Sequence, residues 1–130
     1  YDSVFVPLAK WAMLMAGNYR CVQAGEMRPI KDAVHGDLDA SRAVYDWVVE
    51  VCIGLGGDIS DFVPFEKYAK AASSLASPSS AARALAGGAK NIERVDKLVS
   101  LVAAQQGKHL EVVDETVALV EKWLSQNRDA

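Results

Sequence analysis

The sequence predicts an all-α domain of six or seven helices. Apolar residues recur at helical spacing along almost all of the chain, as in Val44, Trp47, Val48, Val51 and Cys52, and again in Ile92, Val95, Leu98, Val99 and Val102. Glycines stand where these stretches stop, at Gly56-Gly57, Gly87-Gly88 and Gly107. No stretch alternates convincingly as a strand. VVEVCIGL is rich in β-branched residues, but its capped approach and 3.6-residue spacing favour helix.

In order, the first helix is expected over Val4 to Gly17, and a short helical turn over Pro29 to Val34. Asp39 or Ser41 is the expected cap of a helix running through AVYDWVVEVCIGL to Gly56-Gly57. The next begins at Phe62 or Val63, with Pro64 tolerated in its first turn, and reaches Leu75. Ser77 is the expected cap of the helix in SPSSAARALAGG, with Pro78 at its first position. Asn91 then caps NIERVDKLVSLVAAQQG, and Val113, Val117, Val120 and Leu124 mark a last helix over roughly 112–126. SSLASPSS reads as a helix junction, and there is no internal repeat.

Length and composition bound the function. A chain of 130 residues suits one domain with a real core, and half its residues are apolar. The net charge of −3, with scattered lysines and arginines, argues against a nucleic-acid partner or a basic membrane patch. No apolar run approaches the roughly 18 residues of a spanning helix, and YDSVFVPLAK lacks the basic start of a secretory leader. Cys21 and Cys52 are expected as free thiols of a cytoplasmic protein. His35 and His109 lack metal-ligand spacing, so no metal site is expected. Because the chain opens on Tyr1, it is expected to be a piece of something longer.

A few polar residues interrupt the apolar pattern. Lys10 and Asn18 lie in the first helix, about 80° apart around an ideal helix and roughly 12 Å along it. They read either as a snorkelling lysine and a terminal asparagine or as one polar stripe. Ser79, in a first turn, reads as part of a cap or as a carboxylate or phosphate contact. Asn91 is a natural N-cap, Glu93 suits the helix dipole, and Arg94 and Asp96 read as surface charges. GLGGD and AGGAK follow helices rather than strands, so neither reads as a nucleotide loop. The three tryptophans read as core or interface.

The order of these pieces resembles the C-terminal domain of the ketopantoate reductase (2-dehydropantoate 2-reductase) family. The family pattern K-x3-N-x3-N is matched by Lys10 and Asn18, with Leu14 in place of the middle asparagine. Gly25-Glu26-Met27 resembles the following Gly-Glu-Leu, and CIGLGGD the helix ending in Ala-Leu-Gly. With Pro78-Ser79 on the family's Ser-Ser pair, Asn91-Ile92-Glu93 falls on Glu-Ile-Asp and Gly107 on a later glycine, without a gap. The resemblance runs from about Pro7 to Trp123.

The resemblance implies a multi-helix orthogonal bundle like the C-terminal domain of 6-phosphogluconate dehydrogenase. It also implies a role in reducing a 2-oxo acid to a 2-hydroxy acid, the chemistry of pantothenate biosynthesis in the family. It assigns Lys10 as the catalytic ammonium, which steadies charge on the 2-oxo oxygen and delivers a proton. Asn18, Ser79 and Asn91 take the substrate-binding positions. An apolar cleft around Lys10 would disfavour its charged form and help proton donation. Asn91 stands where the family has a glutamate for the substrate's hydroxyl end, which points to a different substrate. Two residues on a helix are about 200° apart, so Glu93 would point away from it and could not substitute. The cofactor implied is NADP, bound by a Rossmann domain N-terminal to this chain, so the isolated domain is not expected to turn over. The expected partner is a small 2-oxo acid, with a homodimer through the helical domain left open. The alternatives are a helical dimerisation or interaction module that kept the fold without the chemistry, and an unrelated small-ligand domain.

Overall fold

Val44, Val48, Val51 and Cys52, spaced to share one helix face, are all buried, and the other helices are arranged around them. A computed structural model describes residues 8–129. It contains α1 (Leu8–Met13), α2 (Ile30–His35), α3 (Leu38–Gly54), α4 (Phe65–Ala72), α5 (Ser80–Ala86), α6 (Val95–Gln105) and α7 (Glu111–Asp129). α1 lies against α3, and α6 packs between α3 and α7. The chain is all-α: among the described residues the only β pairing is an isolated antiparallel bridge between Val22 and Met27. That bridge closes a small loop around Gly25-Glu26, with the Gln23 N–H donating to the Glu26 carbonyl at 3.1 Å. No helix among the described residues is long and apolar enough to cross a membrane. Cys21 and Cys52 are free and buried, and burial raises the pKa of both thiols.

The first helix is not one uniform α-helix. After Met13 the chain widens into a π turn over Leu14–Asn18 and then tightens into a 3-10 turn over Tyr19–Cys21. Such a bulge needs a cause in the hydrogen-bond ladder. Here the Tyr68 hydroxyl, on α4, donates to the Met13 carbonyl at 3.1 Å. Gly17 makes room for it: a Cβ at that position would lie 2.0 Å from the Tyr68 hydroxyl oxygen. The Val4–Pro7 part of the expected helix lies outside the described residues.

Several expected boundaries move, each for a local reason. The cap of α3 is Asp37, whose carboxylate accepts the Ala40 N–H at 3.0 Å; neither Asp39 nor Ser41 serves. Ser41 instead lies inside α3 with its hydroxyl buried and bonded to the Val34 carbonyl at 2.8 Å. Pro64 stands at the N-cap of α4, after a separate 3-10 turn over Ile59–Asp61. The cap of α5 is Ser79, not Ser77. α6 begins only at Val95, so Asn91 is not its cap. Its core face is Val95, Val99 and Ala103, whereas Leu98 is 46 % exposed. Gly107 ends α6 with φ +73°, a left-handed backbone that glycine adopts without a Cβ clash.

Candidate functional site

The late start of α6 decides the shape of the site. Residues 91–94 run without helix from the end of α5 to Val95. Asn91, Ile92 and Glu93 all line one cavity of about 520 Å3. The expectation that Glu93 would point away rested on a helix through Asn91, and that helix is not formed.

Lys10 and Asn18 line the same cavity from the first helical segment, and Ser80 from the start of α5. Three segments of the chain thus converge, and Leu14, Tyr19 and Ile92 add apolar wall. The volume lies within the range of small-ligand sites, roughly 300–1,000 Å3. Lys10 is exposed rather than sunk in an apolar cleft, and it joins no ion pair among the described residues. The cavity accordingly presents an exposed ammonium, two carboxamides, a hydroxyl and the Glu93 carboxylate.

The 91–94 segment is held from both sides. The Tyr19 hydroxyl donates to the Glu93 carbonyl and accepts the Val95 N–H at 3.1 Å. Burial is the main reason the Tyr19 pKa is pushed up to about 12. Asp96, read from the sequence as a surface charge, is fully buried. Arg94 grips it in a two-pronged pair, at 2.9 and 3.0 Å, and extends a third bond of 2.6 Å to Glu121 on α7. Burial alone would lower the Arg94 pKa, but the bonds to Asp96 and Glu121 outweigh it and raise it. From the end of α7, Asn127 donates to the Leu85 and Ala89 carbonyls, and Arg128 donates to the Lys90 carbonyl at 2.8 Å and the Asn91 side-chain oxygen at 3.4 Å.

Ser79 is placed differently from the other expected contacts. It is 3 % exposed and does not line the cavity that holds Lys10 and Asn18. Its hydroxyl donates to the Asn18 carbonyl at 2.7 Å and accepts the Ala82 N–H at 3.2 Å. It therefore fixes Asn18 against the start of α5, while its neighbour Ser80 reaches the cavity. Arg94, Asp96 and Asn127 carried no local sign of this role; Tyr19, an aromatic with a polar tip in an apolar helix, offered a hint.

Gly54 ends α3, Gly56 and Gly57 follow it, and Gly87-Gly88 follow α5, so neither glycine group forms the strand-to-helix loop that holds a dinucleotide. Among the described residues no group of three or more His, Cys, Asp or Glu is placed to hold a metal ion. Comparison with known proteins found no matching family model, no matching curated protein and no matching solved structure.

Proposed function

We propose that this chain is the substrate-binding, helical part of an NADP-dependent 2-oxo acid reductase resembling ketopantoate reductase, with the bundle architecture of the 6-phosphogluconate dehydrogenase C-terminal domain. The observation that carries this reading is the meeting of Lys10, Asn18 and Asn91 on one cavity across more than half the chain. The described residues build no dinucleotide loop, so under this reading NADPH would be held by a domain outside this chain and would supply the hydride.

This chain's own residues then have defined tasks. The Lys10 ammonium hydrogen-bonds the 2-oxo oxygen and gives it a proton as the carbon is reduced, yielding the hydroxyl of the 2-hydroxy acid. The exposed stem of Lys10 lets the ammonium reach the substrate, and closure against another domain would supply the dry surroundings that strengthen its interaction with the developing oxyanion. The Asn18 carboxamide orients the carboxyl end. Asn91 and Glu93 together face the far end of the substrate, where the Glu93 carboxylate selects for a hydrogen-bond donor and the Asn91 amide NH2 can donate to an acceptor.

The test is NADPH oxidation by the full-length protein against a panel of 2-oxo acids. Turnover with one or more of them, absent with the corresponding 2-hydroxy acids, is expected. No oxidation with any member, from a protein that binds NADPH, would overturn the proposal. It would favour the interaction module, which has its own support in the exposed Leu98 and Leu101, 46 % and 58 % accessible, on one side of α6.

A further inference from the structure

A second concave site lies away from Lys10, between the loop around residues 22–27 and α7. Its volume is about 330 Å3, and Arg20, Arg28, Gln23, Thr116 and Glu115 are among its lining residues. Both guanidinium groups are fixed. Arg20 donates through Nη1 to the Ser41 hydroxyl at 2.6 Å and the Ala16 carbonyl at 3.3 Å. Arg28 donates through Nε to the Arg20 carbonyl at 2.9 Å. The remaining guanidinium nitrogens have no protein acceptor among the described residues, and neither arginine joins an ion pair there.

Two half-buried cations side by side repel each other, and folding would ordinarily seat a carboxylate between them. Burial, and then the charge of Arg28, lower the Arg20 pKa; Asp37 attracts it but forms no ion pair with it. Glu115 lines the cleft, yet it is exposed and unbonded to either arginine. Planar, forked donors held in place with open N–H groups match the oxygens of a phosphate or carboxylate.

We propose that Arg20 and Arg28 form the basic half of a binding site for a small oxyanion, a phosphate or carboxylate group, in the cleft against α7. The site is independent of the 2-oxo acid reading, since it shares no lining residue with the Lys10 cavity.

The test follows the arginine Nε–H and Gln23 amide NMR signals of this chain during titration with inorganic phosphate, at ionic strength held constant with chloride. Parallel titrations use glycerol phosphate and citrate, and the tightest of the three names the source of the anion. Saturable shifts confined to this cleft are expected, unchanged in Lys10→Ala. Arg28→Gln should weaken binding about tenfold or more, and Glu115→Gln should tighten it by removing a competing carboxylate. If Arg28→Gln does not fold, Arg28→Lys keeps the charge without the fork and should still weaken binding. Shifts that never saturate with any of the three anions, or equal affinity in the folded Arg28 variant, would overturn the proposal.

Discussion

The Tyr19 hydroxyl accepts the backbone N–H of Val95 at 3.1 Å, across 76 positions of chain. With its second bond, to the Glu93 carbonyl, it does for the start of α6 what a capping side chain does elsewhere. Tyr19→Phe leaves the buried Val95 N–H without its partner, at a cost of about 1–3 kcal/mol. A lower urea midpoint is expected, with faster amide exchange at Val95 and no change of overall helix content. An unchanged midpoint would mean that the 91–94 segment is held by other contacts.

This relationship also explains what could and could not be read from the sequence. The helical class, the buried faces of α3 and α7 and the glycine stops were legible because each depends on residues within a turn or two. Asn91 looked like a cap because caps are usually local, yet here the N–H is met by a phenol from another helix. Asp96 looked solvated because nothing nearby in sequence announces that the fold buries it. In Ser-Pro-Ser-Ser, Ser77 and Ser79 are both plausible caps; Ser79 serves, and its hydroxyl also reaches the Asn18 carbonyl. The π turn was invisible because its cause, Tyr68, arrives from α4.

Gly17 and Tyr68 should behave as a coupled pair. Gly17→Ala drives a methyl group into the Tyr68 hydroxyl and should cost about 1–3 kcal/mol through overpacking. Tyr68→Phe removes the oxygen, so the double variant should be less destabilised than the two single losses added together. Denaturant midpoints of the four proteins in this cycle measure the coupling directly.

The Arg94–Asp96 pair should matter more than Arg94–Glu121. The Asp96 side chain is 0 % exposed and that of Glu121 43 %. Asp96→Ala leaves a largely buried guanidinium without its main partner, an expected loss of about 3 kcal/mol or more. Glu121→Ala removes a half-exposed partner and should cost under about 1 kcal/mol. Thermal or urea unfolding of the two variants checks the order.

Stability should fall at both ends of the pH scale. The Arg94 guanidinium holds Glu121 below its ordinary 4.5, and Arg42 does the same for Glu66. The Ser60 N–H and hydroxyl hold Asp58 below 3.8. Lowered folded-state values stabilise above the unfolded pKa, and that stability is lost as pH falls through the folded one. Tyr19 is shifted the other way, from 10.0 to about 12, so its contribution is present below pH 10 and lost as pH rises towards 12. A plateau of the urea midpoint between these limits is expected. Glu121→Gln should shrink the acid fall, and Tyr19→Phe the alkaline one.

Lys10 is exposed, so Lys10→Ala should leave the unfolding midpoint of this chain within about 0.5 kcal/mol. In the full-length protein the same change should reduce turnover about 10²-fold or more. Loss of turnover with unchanged stability separates a chemical role for Lys10 from a structural one.

The most direct measurement of the central claim is an amide NMR titration of this chain with a set of 2-oxo acids. Saturable shifts clustered at Asn18, Ser80, Asn91 and Glu93, weakened by Lys10→Ala, are predicted. No saturable shift with any 2-oxo acid, or shifts that leave these four positions untouched, would contradict the assignment of the Lys10 cavity as a 2-oxo acid site.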